Sequence, residues 1–169
     1  MSSYRINPGD ELEIYVWGEE RLQRMLRVLP DGTIAFPLVG QLMVAGRLPQ
    51  EVEAMVNQRL SSQYRGEVPF VTVSVRDPAG MQFSVIGKVR SPGSFKAGRY
   101  LNVLDALSLA GGPAEFANLD SILVISQRGD RQTAATVRLN ALFRAGANQA
   151  DIARANLVQI MPGDVIIVP

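Results

Sequence analysis

Glu11, Glu13, Tyr15 and Trp17 occupy every second position of one stretch, with Leu12, Ile14 and Val16 between them. Side chains alternate across a β-strand, so these four share one face. Residues two apart on a strand lie about 6–7 Å from each other, within the spacing of the carboxylate pairs that hydrolyse glycosidic bonds. An aromatic neighbour can stack on a sugar ring. Such a face could handle sugar, catalytically or by contact alone. The plainer role is a half-buried subunit contact whose acids are solvated or paired with arginine.

Few other residues could carry chemistry. The 169 residues contain no cysteine and no histidine. Thiol nucleophiles, thiolate metal sites and disulfides are excluded, and the commonest general base and metal ligand near neutral pH is absent. No cofactor or metal site is expected, and no catalytic residue is assigned. Asp10 and Asp164 each close a Pro-Gly-Asp turn, Pro8-Gly9-Asp10 and Pro162-Gly163-Asp164. A carboxylate there is expected to accept backbone N–H bonds rather than to react. Asp31-Gly32, Pro37, Gly40, Gly87, Pro92-Gly93 and Gly111-Gly112 are read in the same way, as structural turn residues. A phosphate cradle at Gly111-Gly112 would need a helix starting after the glycines, whereas the pattern ends one there. Arg21, Arg24 and Arg27 follow Glu19-Glu20; they suit a solvated loop or salt bridges, with a basic ring lining a passage as the alternative.

The elements that must position these residues are short. Fifteen glycines and ten prolines divide the chain. After the turn at 7–10, residues 11–16 alternate as a strand. Residues 26–29 and 33–36 around Pro30-Asp31-Gly32 read as a hairpin, followed by a short strand at 41–44. Pro49 to about Tyr64 is the clearest helix: proline suits its first position, Glu51 and Glu53 complement its positive end, and Val52, Met55, Val56 and Leu60 fall on one face. Residues 70–76 alternate again, and Asp77-Pro78-Ala79-Gly80 is the best domain boundary. Beyond it come a strand at 81–89, a turn at Ser91-Pro92-Gly93, a short helix at 103–110 and paired strands at 121–128 and 133–139. A helical turn near 140–144, a polar Ala-rich stretch and a final strand at 165–168 complete the chain. Short strands with two helices indicate the α+β class.

Composition bounds the role. Hydrophobic residues make up 47% and charged residues 20%, a globular balance. Net charge is +1 with no basic block, so no nucleic-acid partner is expected. No segment approaches the roughly 20 apolar residues of a membrane-spanning helix. Met1-Ser2-Ser3 leads straight into patterned sequence, so any signal segment is expected to have been removed or never to have existed.

The ordered motifs resemble the outer-membrane polysaccharide export family (Wza-type). Tyr4, Pro8-Gly9-Asp10, the strand to Val16, Asp31-Gly32 before Phe36-Pro37-Leu38-Val39-Gly40, and Val44-Ala45-Gly46 ahead of the Glu51 helix are similar to its export domain, at residues 4–76. Val85-Ile86-Gly87-Lys88-Val89, Pro92-Gly93, Ala110-Gly111-Gly112 and the closing Pro162-Gly163-Asp164 strand are similar to its soluble-ligand-binding β-grasp (SLBB) domain, at 81–169. The resemblance implies a small mixed-sheet domain followed by a β-grasp domain. It implies a non-enzymatic, periplasmic subunit associated with the outer membrane, assembled into a homo-oligomeric ring with the family's octamer as reference. Polysaccharide would be the passenger, and an inner-membrane polysaccharide co-polymerase or synthase complex the partner. A β-grasp module that binds a ligand or protein without a pore is the alternative. Many relatives carry a lipid-anchor cysteine and some a C-terminal pore helix; neither pattern is found in these residues, and only one β-grasp unit is evident. Leu48 stands where a threonine is usual before the helix.

Overall fold

The computed structural model describes residues 3–169; Met1 and Ser2, the opening of the chain, lie outside the described residues. It divides into two compact units, residues 1–80 and 81–169.

The first unit contains β1 (Glu11–Val16), β2 (Arg24–Arg27), β3 (Thr33–Phe36), β4 (Gly40–Met43), α1 (Pro49–Leu60) and β5 (Val71–Asp77). β1 is the middle strand of an antiparallel sheet, β2-β1-β5, and β3 and β4 form a separate hairpin. Leu12, Ile14 and Val16 are fully buried, while Glu11, Glu13 and Tyr15 on the alternate face are half-buried. They share a core with Ile34, Phe36, Leu42 and Val73 and with Val52, Val56 and Leu60 of α1. Burying each such side chain contributes about 1.5–3 kcal/mol, so the helix is held by its apolar stripe. Glu53 of α1 accepts the Val73 N–H (3.0 Å), covering a donor on β5 that β1 leaves unpaired.

Leu48 caps α1 with half the usual device. Its N–H donates to Glu51 Oε2 (2.7 Å), but its side chain has no acceptor to return to the Glu51 N–H. Leu48→Thr completes that capping box and is expected to raise stability by about 1 kcal/mol, seen as a higher urea midpoint; an unchanged midpoint would show that the lost Leu48 packing cancels the new bond.

The expected hairpin between residues 26–29 and 33–36 forms only at its tip. Leu29 N–H donates to Thr33 O (2.9 Å) and Gly32 N–H to Leu29 O (2.8 Å). Beyond the tip the arms part: β2 pairs with β1 and β3 with β4. The turn is local, but the pairing is decided by which strands bury the apolar positions together.

The second unit contains β6 (Gln82–Gly87), β7 (Gly93–Lys96), β8 (Leu101–Asn102), α2 (Val103–Leu109), β9 (Ile122–Arg128), β10 (Arg131–Val137), α3 (Gln149–Ala155), β11 (Gln159–Ile160) and β12 (Val165–Val168). Its five-stranded sheet runs β10-β9-β12-β6-β7. The last strand lies in the middle, parallel to β6 and antiparallel to β9. Val85, Ile122, Val124, Ile166 and Val168 of these strands are buried. A short β8–β11 ladder flanks the start of α2, whose Val103, Ala106 and Leu107 are buried. Asn102 and Asp105 cap α2 reciprocally (3.0 and 3.1 Å). It ends as expected at Gly111 and Gly112, both with positive φ (81° and 87°). The chain is α+β throughout, with the parallel pairing confined to this unit. The Ala-rich stretch holds an unexpected helix, α3, capped by Asn148 and Asp151; β8 and β11 were also not foreseen.

Candidate functional site

The two Pro-Gly-Asp turns are built alike. Asp10 Oδ2 accepts the Asn7 N–H (2.8 Å), and Asp164 Oδ2 accepts the Met161 N–H (2.8 Å). Gly9 and Gly163 take φ of 91° and 84°, and their N–H groups donate to Val28 O (2.8 Å) and Gln82 O (2.7 Å). Both carboxylates are buried. Asp10 also accepts the Tyr4 hydroxyl (2.6 Å) and the Gly80 N–H (2.8 Å), while Asp164 meets Arg128 at 3.4 Å. Every oxygen is turned to the chain's own donors, so these acids organise strand starts. Asp31 Oδ1 likewise accepts the hydroxyl and N–H of Thr33 (2.7 and 3.0 Å). Pro37 lies in the β3–β4 connection and Gly40 opens β4, with Leu38 between them in the left-handed region at φ 65°. Pro92 precedes β7, which Gly93 opens, and Gly87 closes β6.

Glu11, Glu13 and Tyr15 do share the outward face of β1, while Trp17 lies one residue past the strand's end. Glu11 pairs with Arg27 (3.2 Å). Glu13 is held by Arg76 and by Gln23 Nε2 (2.9 Å). The Gln23 amide, then the Arg76 guanidinium, hold the Glu13 carboxyl below the usual range. A glycosidase acid needs the opposite, a carboxyl raised by an apolar pocket. Of the three arginines, Arg27 makes the Glu11 pair and Arg24 reaches the Gln23 carbonyl (2.7 Å); Arg21 is exposed. The rings of Tyr15 and Trp17 meet edge to face, centroids 6.4 Å apart.

Sequence reasoning missed two members of this face. Phe70, 83% exposed, accepts the Trp17 N–H on its carbonyl (2.9 Å) and extends the aromatic patch. Arg76 comes from the neighbouring strand, 63 residues from Glu13; the alternation at 70–76 was the only signal, and it did not fix register. Among the described residues no group of three or more acidic side chains gathers to hold a metal ion, and no helix is long and apolar enough to cross a membrane.

Three carboxyls lie below their ordinary values through bonds made only on folding: Glu13, Asp31 (the Thr33 hydroxyl, then its N–H) and Asp105 (the Asn102 N–H, then Arg99). A depressed folded value contributes stability above the unfolded value and loses it as pH falls through the folded one. Urea midpoints are therefore expected to fall steadily below about pH 4. A midpoint unchanged down to pH 2 would contradict these bonds.

Residues 1–76 match the polysaccharide biosynthesis/export protein family and residues 82–134 the SLBB domain family. The chain joins a polysaccharide biosynthesis/export domain to an SLBB domain. Its relatives include the polysialic acid transport protein KpsD of Escherichia coli, 29% identical across 98% of this chain and 28% of the relative. The EPS I polysaccharide export outer membrane protein EpsA of Ralstonia nicotianae is 27% identical across 88% and 44%. The capsule polysaccharide export protein BexD of Haemophilus influenzae is 27% identical across 75% and 36%. The chain thus spans between 28% and 44% of the length of these relatives. Within it, β1 and its acidic and aromatic face belong to the export-domain match, and the buried turn at Asp164 lies beyond the SLBB match.

Proposed function

We propose that the chain is a ring-forming periplasmic subunit of a conduit carrying capsular or exopolysaccharide to or through the outer membrane, and that it makes and breaks no bonds. The observation that carries this is the order of the two matched domains, export then SLBB, in a chain whose relatives are named for polysaccharide transport and export. Residues 4–76 act as the export domain and 81–169 as the β-grasp domain. Supporting the absence of catalysis, Glu11 and Glu13 are each engaged by a separate arginine. A conduit needs weak, distributed contacts, so that a polymer slides rather than sticks. The octamer of the family and a co-polymerase or synthase partner at the inner membrane complete the proposal.

The exposed Trp17 and Phe70, with the half-buried Tyr15, are assigned to the contact between subunits. Trp17 is the single tryptophan and is 66% exposed, so its emission should shift to the blue as subunits assemble. The test is the mass of the purified protein by light scattering, with and without detergent, alongside that emission. A closed multimer with a buried Trp17 is expected; a monomer with saturable ligand affinity would favour the binding-module alternative. Incubation with oligosaccharides is expected to give no cleavage, whereas turnover abolished by Glu13→Gln would establish an enzyme.

A further inference from the structure

The edge of a β-sheet presents backbone N–H and C=O groups that recruit another strand unless something blunts it. The two larger sheets have four edges, and three of them are blunted. β2 is four residues long and carries the exposed Arg24 and Arg27. On β5, Glu53 takes the Val73 N–H (3.0 Å), and the exposed Arg76 and Asp77 close the strand. β7 is four residues long, follows Pro92 and ends at the exposed Lys96. The fourth edge, β10, is seven residues long, contains neither proline nor glycine, and is charged only at Arg131, its first residue. It pairs with β9 residue for residue, without a bulge.

The register decides which backbone groups are open. β9 and β10 join through Gly129 and Asp130, with Gly129 at φ 61° and Arg131 opposite Arg128. In such a two-residue hairpin the flanking pair exchanges both hydrogen bonds, and alternate residues then turn their N–H and C=O away from the partner strand. Residues 131, 133, 135 and 137 therefore bond to β9, while Gln132, Ala134 and Thr136 face outward. Two bonds agree with that phase: Thr136 O accepts Asn156 Nδ2 (3.1 Å), and Arg138 N–H donates to Ala155 O (3.1 Å). These contacts close the edge beyond residue 135. What stays open among the described residues is the N–H and C=O of Gln132 and of Ala134, in an exposed and uncharged run.

We propose that β10 pairs antiparallel with β10 of a second copy about a two-fold axis, Gln132 of each copy lying opposite Ala134 of the other. All the open groups of both edges are then satisfied at once. A shift one way would need the Thr136 carbonyl, which Asn156 already holds; a shift the other way would draw Asp130 of the turn into the ladder. A second copy of β10 is the occupant that fits. It matches the edge in length and sets Arg131 opposite Ala135, so no charge faces a like charge. β2 or β7 of a second copy would be shorter and would bring cations to an edge that begins with Arg131. A two-fold contact closes with two copies, so this pairing is separate from the ring contact assigned to Trp17 and Phe70 and does not rest on the export reading.

Hydrogen exchange and single-cysteine cross-linking of the whole chain test it. The amides of Gln132 and Ala134 are expected to exchange about tenfold or more slowly as the protein is concentrated. Ala134→Pro removes an N–H that β9 does not use; it should abolish that concentration dependence at Gln132 while β9 and β12 stay protected. Ala134→Lys, a charge on the open edge, should do the same if the proline variant does not fold. The chain has no cysteine, so introduced thiols report the register. Thr133 of each copy faces its own counterpart across the axis in a non-hydrogen-bonded pair, where side chains approach most closely. Thr133→Cys is therefore expected to link copies under mild oxidation about tenfold or more faster than Gln132→Cys, whose counterpart lies diagonally about 7–8 Å away. The proposal is overturned if the two amides exchange at one rate at every concentration, if Thr133→Cys links no faster than Gln132→Cys, or if protection survives in a well-folded position-134 variant. A ring whose β10 amides stay open keeps the ring and removes the pairing; a pair linked through residue 133 that assembles no further does the reverse.

Discussion

Replacing Asp10 with alanine is expected to unfold much of the first unit, at a cost of about 3 kcal/mol or more. The side chain is buried and accepts from three donors: the Asn7 N–H, the Gly80 N–H and the Tyr4 hydroxyl. Each donor left buried without an acceptor costs about 1–3 kcal/mol. Asp10→Asn keeps the shape but not the chemistry. Its two carboxylate oxygens take different backbone N–H groups, so an amide must set its NH2 against one of them whichever way it turns. A loss of about 2 kcal/mol is expected for that variant. Urea unfolding followed through Trp17, which lies in the same unit, measures both. A midpoint within experimental error of the parent for Asp10→Ala would mean that water replaces the carboxylate and that the turn is only a surface feature.

Gly87→Ala is the second large effect, and it falls on the other unit. Gly87 has φ 96°, a region that side chains with a Cβ rarely adopt. A Cβ there would also lie 2.1 Å from the carbonyl oxygen of Val168 and 2.9 Å from its carbon. That oxygen accepts the Lys88 N–H (2.7 Å), and Val168 belongs to β12, the central strand. The backbone of the strand that joins both halves of the sheet would have to move. A loss of about 3 kcal/mol or more is expected, read as loss of hydrogen-exchange protection at the amides of β6 and β12. Gly98→Ala is the control: its Cβ would meet nothing within 4 Å, and its φ is not in the left-handed region, so a change within about 0.5 kcal/mol is expected. Equal effects at the two glycines would remove the steric account.

What the sequence made legible follows the range of the forces involved. The α1 start at Pro49, the alternation in β1, the β9–β10 hairpin around Arg128-Gly129-Asp130 and the stop at Gly111-Gly112 are set within a few residues of themselves. The pairing of β2 with β1, the central place of β12 and the Glu13–Arg76 contact depend on segments tens of residues apart, and no local pattern carries them. α3 is a middle case. Its capping pair, Asn148 and Asp151, is three residues apart and readable, but of its seven residues only Ala155 is buried, so no apolar stripe announced a helix. On the β1 face the four foreseen residues were adjacent by alternation alone, whereas Phe70 and Arg76 arrive from β5 and its approach, where register decides.

The central claim is that this polypeptide moves a polysaccharide outward without altering it. Deleting its gene in the host bacterium, then measuring polymer at the cell surface and inside the envelope together with its chain length, tests that most directly. The expected result is loss of surface polymer, with polymer of unchanged repeat structure retained inside, and recovery by the parent gene and by Glu13→Gln alike. Surface polymer that persists at normal amount, or changes length in a manner that Glu13→Gln reproduces, would contradict it.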